Sequence, residues 1–193
     1  MKSNIVENYL SEADYLAGEQ DGQLRHEFIA GEVYAMTGAS EAHNKISGNF
    51  FAELRNALKQ KGASCTAYIN DMKVKVQNDF YYPDVMVVCD ANDTQNAYYK
   101  TRPLVIVEVL SPATRRIDKT LKRLAYQSLE TLQEYVLVEQ ETAEVEVFSR
   151  QRGWQPDYYY PGDTVNLQSI DVTIAVEDIY YQVDRVDSRR LGP

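Results

Sequence analysis

Long apolar runs are missing from this chain. The longest, residues 104–110, is interrupted by Glu108 and falls far short of the roughly 20 residues that a membrane-spanning helix needs. Cysteine is scarce as well. Cys65 and Cys89 are too few for a disulfide framework and lack metal-ligand spacing, so each is expected to be a buried thiol among small or apolar neighbours. Positive charge is in deficit: 20 Lys and Arg stand against 29 Asp and Glu, a net charge of −9. That balance argues against indiscriminate nucleic-acid binding but leaves room for a local basic face. Neither a Ser-His-Asp nor a Cys-His arrangement is evident, and there is no glycine-rich phosphate loop, internal repeat or low-complexity segment. Met1-Lys2-Ser3-Asn4 leads into polar residues rather than an apolar signal core, so the expected location is cytoplasmic.

The 193 residues are enough for one domain with a real core. Ser11 followed by Glu12, Ala13 and Asp14 predicts a short capped helix ending at Gly18. Phe28, Ile29, Val33 and Tyr34 around Ala30-Gly31 predict a hairpin with a tight turn. Ile46, Phe50, Leu54 and Leu58 recur at helical spacing between a cap at Ser40 and a stop at Gly62. Residues 66–69 and 72–77 read as strands; in the second, Lys73, Lys75 and Gln77 alternate with apolar residues and predict one wet face. Residues 85–89 and 104–110 are nearly all apolar, as central strands covered on both faces are. A polar loop joins them. A helix is expected over residues 116–129 with Ile117, Leu121, Leu124 and Leu129 inward, then a buried strand at 135–138 and a closing antiparallel section. This order describes an α/β domain around a mixed central sheet, followed by a polar tail at 184–193.

Two of the apolar strand patterns each carry one carboxylate, Asp84 after Pro83 and Glu108 within residues 104–110. An unpaired ionised carboxylate in low dielectric costs on the order of several kcal/mol. Such a group must be neutralised, paired, exposed at a strand end or bound to a cation. If the two strands bring the acids together, a hard divalent cation such as Mg2+ satisfies both, since it takes oxygen ligands and keeps waters for chemistry. The plainer alternative places Asp84 at a surface strand end and pairs Glu108 with a Lys or Arg.

Pro83-Asp84, a gap of some twenty residues and then Glu108 in an apolar strand resembles the PD-(D/E)xK phosphodiesterase superfamily. The run from Glu108 through Ser111-Pro112 and Arg115-Arg116 to Asp118 and Lys122 looks more specifically like the Uma-type restriction endonuclease family. The stretches at 27–36, His43-Asn44 and 134–138 resemble it too, so the likeness covers about residues 10–182. The resemblance implies a restriction-endonuclease-like domain over residues 1–183, with a mixed sheet flanked by helices and additional antiparallel strands. It implies that Asp84 and Glu108 ligate Mg2+ or Mn2+, with help from the Val109 carbonyl. It also implies metal-dependent hydrolysis of phosphodiesters in DNA, and a homodimer by analogy with enzymes that cut both strands.

The superfamily pattern expects lysine two positions after the acid, where this chain has Leu110. Lys122, four residues after Asp118, is the substitute the resemblance suggests; a solvated helix face with an i,i+4 pair is the competing account. Arg115, Arg116, Lys119, Lys122 and Arg123 form the one markedly basic segment, and Arg115, Arg116 and Lys119 are candidate phosphate contacts. Glu27 is a candidate outer ligand or water-orienting acid, or else an exposed hairpin carboxylate. His43 is a candidate for phosphate contact or proton transfer, or else a surface residue at a helix start. Ser111 is expected to satisfy local backbone before Pro112. A non-catalytic DNA-binding or protein-interaction module on the same scaffold stays open as the rival reading.

Overall fold

The protein is described here from a computed structural model that covers residues 10–36, 38–93 and 96–184. Met1-Asn4 and the tail from residue 185 onward lie outside the described residues. Ser11 caps α1 (Glu12–Asp21) by accepting from the Asp14 N–H. The helix continues through Gly18, the expected stop, and ends at Gly22. Strands β1 (His26–Ile29) and β2 (Glu32–Ala35) form the expected hairpin. Ala30 and Gly31 both take positive φ at its turn, as a tight two-residue connection requires. Helix α2 (Glu41–Gln60) starts at the Ser40 cap and buries Ile46, Phe50, Leu54 and Leu58, the stripe its periodicity announced.

Strands β3 (Thr66–Ile69), β4 (Lys73–Val76), β5 (Asp79–Tyr81), β6 (Val85–Val88), β7 (Tyr99–Lys100) and β8 (Pro103–Leu110) follow. A helical segment, α3, spans residues 115–127, with a π-helical turn at Asp118–Lys122 between two α-helical pieces. Then come β9 (Glu134–Glu139), β10 (Val145–Ser149), β11 (Pro156–Tyr159), β12 (Thr164–Leu167), β13 (Val172–Ala175) and the short α4 (Val176–Ile179).

Among the described residues the central sheet has the order β11-β10-β9-β8-β6-β3. Only the β8–β9 pair is parallel, so the sheet is mixed. A second sheet, β2-β1-β5-β4-β7, and the pair β12-β13 supply the additional strands. Side chains alternate along β8 between two cores. Val105, Val107 and Val109 pack with α2, β12, β13 and α4. Ile106 and Leu110 pack on the other face with Tyr126, Tyr135 and the strands β4 and β5.

Three expectations are corrected by the packing. The face of β4 expected to be wet is covered: Lys73 is buried with its ammonium on the Tyr82 hydroxyl (3.0 Å), and Lys75 pairs with Glu12 of α1 (2.6 Å). Cys65 and Cys89 are not free thiols but a disulfide, since the antiparallel register of β3 and β6 sets them opposite each other with Cα atoms 4.0 Å apart. The third correction concerns α3. Ile117, Leu121 and Leu124, expected inside, are 43, 63 and 64 % exposed, and Leu129 is half-buried against the second core. Asp118, Lys122 and Tyr126 face inward instead. Among the described residues, no helix is long and apolar enough to cross a membrane.

Candidate active site

The β6–β8 register pairs Val85 with Val107. Carried one residue on, it sets Asp84 opposite Glu108. Each lies at even parity with its strand's residues in the second core, so both carboxylates leave the sheet on the same face. Asp84 is fastened by its neighbour strand, accepting from the Val109 N–H at its Oδ2 (2.7 Å). Glu108 is 3 % exposed and accepts from the Tyr126 hydroxyl (2.9 Å) and from the Lys122 ammonium (3.2 Å), both at Oε1.

Helix α3 supplies the cation. Leu110, where the superfamily motif has lysine, is fully buried in the second core. Lys122 brings its Nζ to Glu108 from across the site instead, and also lies 2.8 Å from Glu27 Oε1 and 3.6 Å from Asp118 Oδ1. The π-turn that contains Asp118 and Lys122 buries both side chains. Such turns are uncommon inside α-helices and recur at functional sites. Asp118 Oδ1 is a buried acceptor with no hydrogen bond among the described residues, while the Asp118 backbone carbonyl accepts from the Tyr135 hydroxyl (3.0 Å).

Glu27 is not an exposed hairpin carboxylate. It enters the site from β1 and accepts from the Tyr82 N–H (3.1 Å). His43, in the first turn of α2, points inward too, with Nε2 3.2 Å from Asp84 Oδ2. Ser111 satisfies local backbone, accepting from the Thr114 N–H (3.1 Å). The site residues enclose a cavity of about 670 Å³ whose wall includes Glu27, His43, Asp84, Glu108, Asp118 and Lys122.

Electrostatics follow from crowding four carboxylates around one ammonium in a dry place. Burial pushes the Glu108 carboxyl well above the usual carboxylate range, with Lys122 opposing and Asp118, Asp84 and Glu27 reinforcing it. Asp118 is raised too, again chiefly by burial against the pull of Lys122. Burial works against the charge of Lys122, but Glu108, Glu27 and Asp118 outweigh it and hold the ammonium well above its ordinary pKa. Burial likewise disfavours the imidazolium of His43; the hydrogen bond to Asp84 and its charge reverse the sign and raise that pKa.

The oxygen donors here are of the type a hard divalent ion takes. Asp84 and Glu108 leave the same face of adjacent strands, and Asp118 adds an oxygen that no hydrogen bond satisfies, although the three do not gather their oxygens within 4.8 Å of one another. The basic segment of α3 is deployed differently. Arg115 pairs with Glu139 (2.5 Å), and Lys119 pairs with Glu146 and Glu139. Arg116 is exposed, and the Arg123 guanidinium lies over the Phe148 ring. Glu139, Glu144 and Glu146 bring carboxylate oxygens within 4.8 Å of one another, and the Arg115 and Lys119 contacts offset that charge. Tyr126 and the inward turn of Asp118 escaped the sequence reading. The signal available for them is spacing alone, since Asp118, Lys122 and Tyr126 recur every four residues.

The sequence model of the Uma2 family, described as "Putative restriction endonuclease", matches residues 12–177. Two curated proteins of Synechocystis sp. are similar along most of their length. "Uncharacterized protein slr1290" is 34 % identical over 175 residues, covering 89 % of this chain and 91 % of its own. "Uncharacterized protein sll1609" is 32 % identical over 147 residues, covering 73 % and 81 %. Among solved structures, a "putative nuclease belonging to DUF820" from Anabaena variabilis superposes with a TM-score of 0.72 at 15 % identity, covering 89 % of this chain and 97 % of that one. That likeness is one of fold.

Proposed function

The chain belongs to the Uma2 family of restriction-endonuclease-like proteins, and from that premise we propose that it is a metal-dependent nuclease that hydrolyses phosphodiester bonds in DNA. The observation that carries the reading is the placement of Asp84 and Glu108 on one face of adjacent strands with the Lys122 ammonium 3.2 Å from Glu108. Asp84 and Glu108 would hold Mg2+ or Mn2+, with the Val109 carbonyl close by on the same strand. Bound there, such an ion supplies Lewis acidity toward the phosphoryl oxygen and a more acidic water.

The protein's own groups do the rest. Lys122 keeps its proton among three carboxylates and offers fixed positive charge to the negative charge that builds at phosphorus. Tyr126 holds Glu108 in one orientation, and the Val109 N–H does the same for Asp84. His43, beside Asp84, can contact a phosphate oxygen or move a proton at its Nε2. Glu27, tethered by the Tyr82 N–H, orients water at Lys122. Of the basic residues of α3, Arg116 is the most open to a phosphate; Arg115 and Lys119 would first have to leave their carboxylate partners.

The test is cleavage of plasmid and single-stranded DNA in Mn2+ by the parent and by Glu108→Ala. The parent is expected to cut, and the variant to lose about a thousand-fold, the order of a charge-stabilising contact in a dry site. A variant as active as the parent removes Glu108 from the mechanism.

A further inference from the structure

The nuclease reading leaves open which form of nucleic acid enters the site. We infer that the pocket accepts an unpaired segment, a single-stranded or extruded nucleotide, rather than the backbone track of an intact duplex. The inference rests on the nuclease reading and sharpens its substrate.

Charge is the first ground. Along the cavity wall the acids are Glu27, Asp71, Asp84, Glu108 and Asp118, against Lys122 and His43 as the groups able to carry positive charge. Both cations are already matched, Lys122 by three carboxylates and His43 by Asp84. Duplex DNA presents about one negative charge per 1.7 Å of axis, and proteins that follow it meet many phosphates with Lys and Arg. The basic segment nearest the site is largely spent on other partners, with Arg115 and Lys119 held by Glu139 and Glu146. Five acids outnumber Lys122 and His43 even with both charged, so a divalent ion at Asp84 and Glu108 reduces the wall's negative charge without reversing it, and little remains for a row of flanking phosphates.

Shape and chemistry are the second ground. The carboxyls are recessed, with Asp84 and Glu108 side chains 14 and 4 % exposed, in a cavity of about 670 Å³, a small-molecule size. The rim carries what an unpaired base uses. Tyr34 is half exposed there and gives an aromatic face for stacking. The Asn44 and Asn70 amides are exposed and have no side-chain partner among the described residues, so they are free to meet base edges that pairing would hide.

Binding of the full chain to a fluorescein-labelled oligonucleotide, single-stranded or annealed, measures this directly by anisotropy with Ca2+ in place of Mn2+. The single strand is expected to bind at least ten-fold tighter. Its log K against log salt should fall with a slope of about −0.7 to −1.4, the mark of one or two phosphate contacts. Tyr34→Ala should weaken the single strand by about five-fold or more, the low end of base–aromatic stacking. Hydrolysis of bis(p-nitrophenyl) phosphate in Mn2+, a diester without a base, is measured alongside. If the reporter is hydrolysed but the duplex binds as tightly as the single strand, or with a slope near −5 or steeper, the unpaired-substrate inference falls and the nuclease reading stands. A parent inert on the reporter and on both oligonucleotides overturns both.

Discussion

Helices α2 and α3 cover opposite faces of the central sheet and obey opposite rules. On α2 the inner stripe is Ile46, Phe50, Leu54 and Leu58, every one nearly or fully buried. On α3 the inner stripe is Asp118, Lys122 and Tyr126, while Ile117, Leu121 and Leu124 look outward. The first helix is held by area removed from water; the second is held by charges that satisfy one another and the carboxylate of Glu108. A helix's apolar residues mark its buried face only when the surface it meets is itself apolar. Helix α1 mixes the two rules, burying Tyr15 against Phe28 and Phe80 while turning Glu19 inward to the Tyr82 hydroxyl (2.6 Å) and to His26.

Substitutions can break this contrast, beginning with the largest effect. Phe50→Ala should cost about 3–5 kcal/mol in urea unfolding, because a fully buried aromatic leaves a cavity beneath α2. Lys122→Ala on α3 should cost roughly 3 kcal/mol near neutral pH without opening any apolar cavity, since it strands Glu108, Glu27 and Asp118 without their cation. That penalty should shrink as the pH falls and Glu108 and Asp118, whose carboxyls burial already raises, take up protons, which no loss at Phe50 would do. Reducing the Cys65–Cys89 disulfide, which closes a 24-residue separation, should cost about 3 kcal/mol on the loop-entropy account, read from the urea midpoint with and without dithiothreitol.

Glu19→Gln comes next, at about 2 kcal/mol at neutral pH for hydrogen bonds to a charged acceptor. Burial alone would raise the Glu19 pKa, but the hydrogen bonds from Tyr82 and His26 and the charge of Lys73 together lower it. A carboxyl depressed in the folded state contributes stability above its unfolded pKa and loses it as the pH drops through the folded value. The parent should therefore lose stability below about pH 4.5, and the glutamine variant should lose less. Leu121→Ala and Leu124→Ala sit at the bottom, within about 0.5 kcal/mol, because their side chains already face water. A loss of 2 kcal/mol at either leucine would mean that α3 packs by the same rule as α2.

The sequence made one half of this contrast plain and misled on the other. Hydrophobic periodicity located α2 to within a residue at its cap, and the nearly continuous apolar run of residues 104–110 gave β8. The same periodicity chose the wrong side of α3, because four apolar residues at helical spacing look like a core stripe whether or not an apolar surface awaits them. Asp84 and Glu108 stood out as carboxylates in dry strands. The burial of Glu27 was not readable, and Lys122 was named only through the family resemblance, since Glu27 lies on a distant strand and Lys122 reaches Glu108 from a helix fourteen residues along the chain. The disulfide was missed for a related reason: Cys65 and Cys89 face each other only once β3 and β6 are paired in one register.

What the chain carries locally is the period of each element, the caps and turns, and which acids must find a partner out of water. Those follow from interactions spanning a few residues, so the amino-acid order settles them on its own. Register, the face that α3 turns to the sheet, and the gathering of Glu27, Asp84, Glu108 and Lys122 around one cavity belong to the assembled fold. They depend on contacts between distant segments, where satisfying buried charge outweighs the burial of three leucine-sized side chains.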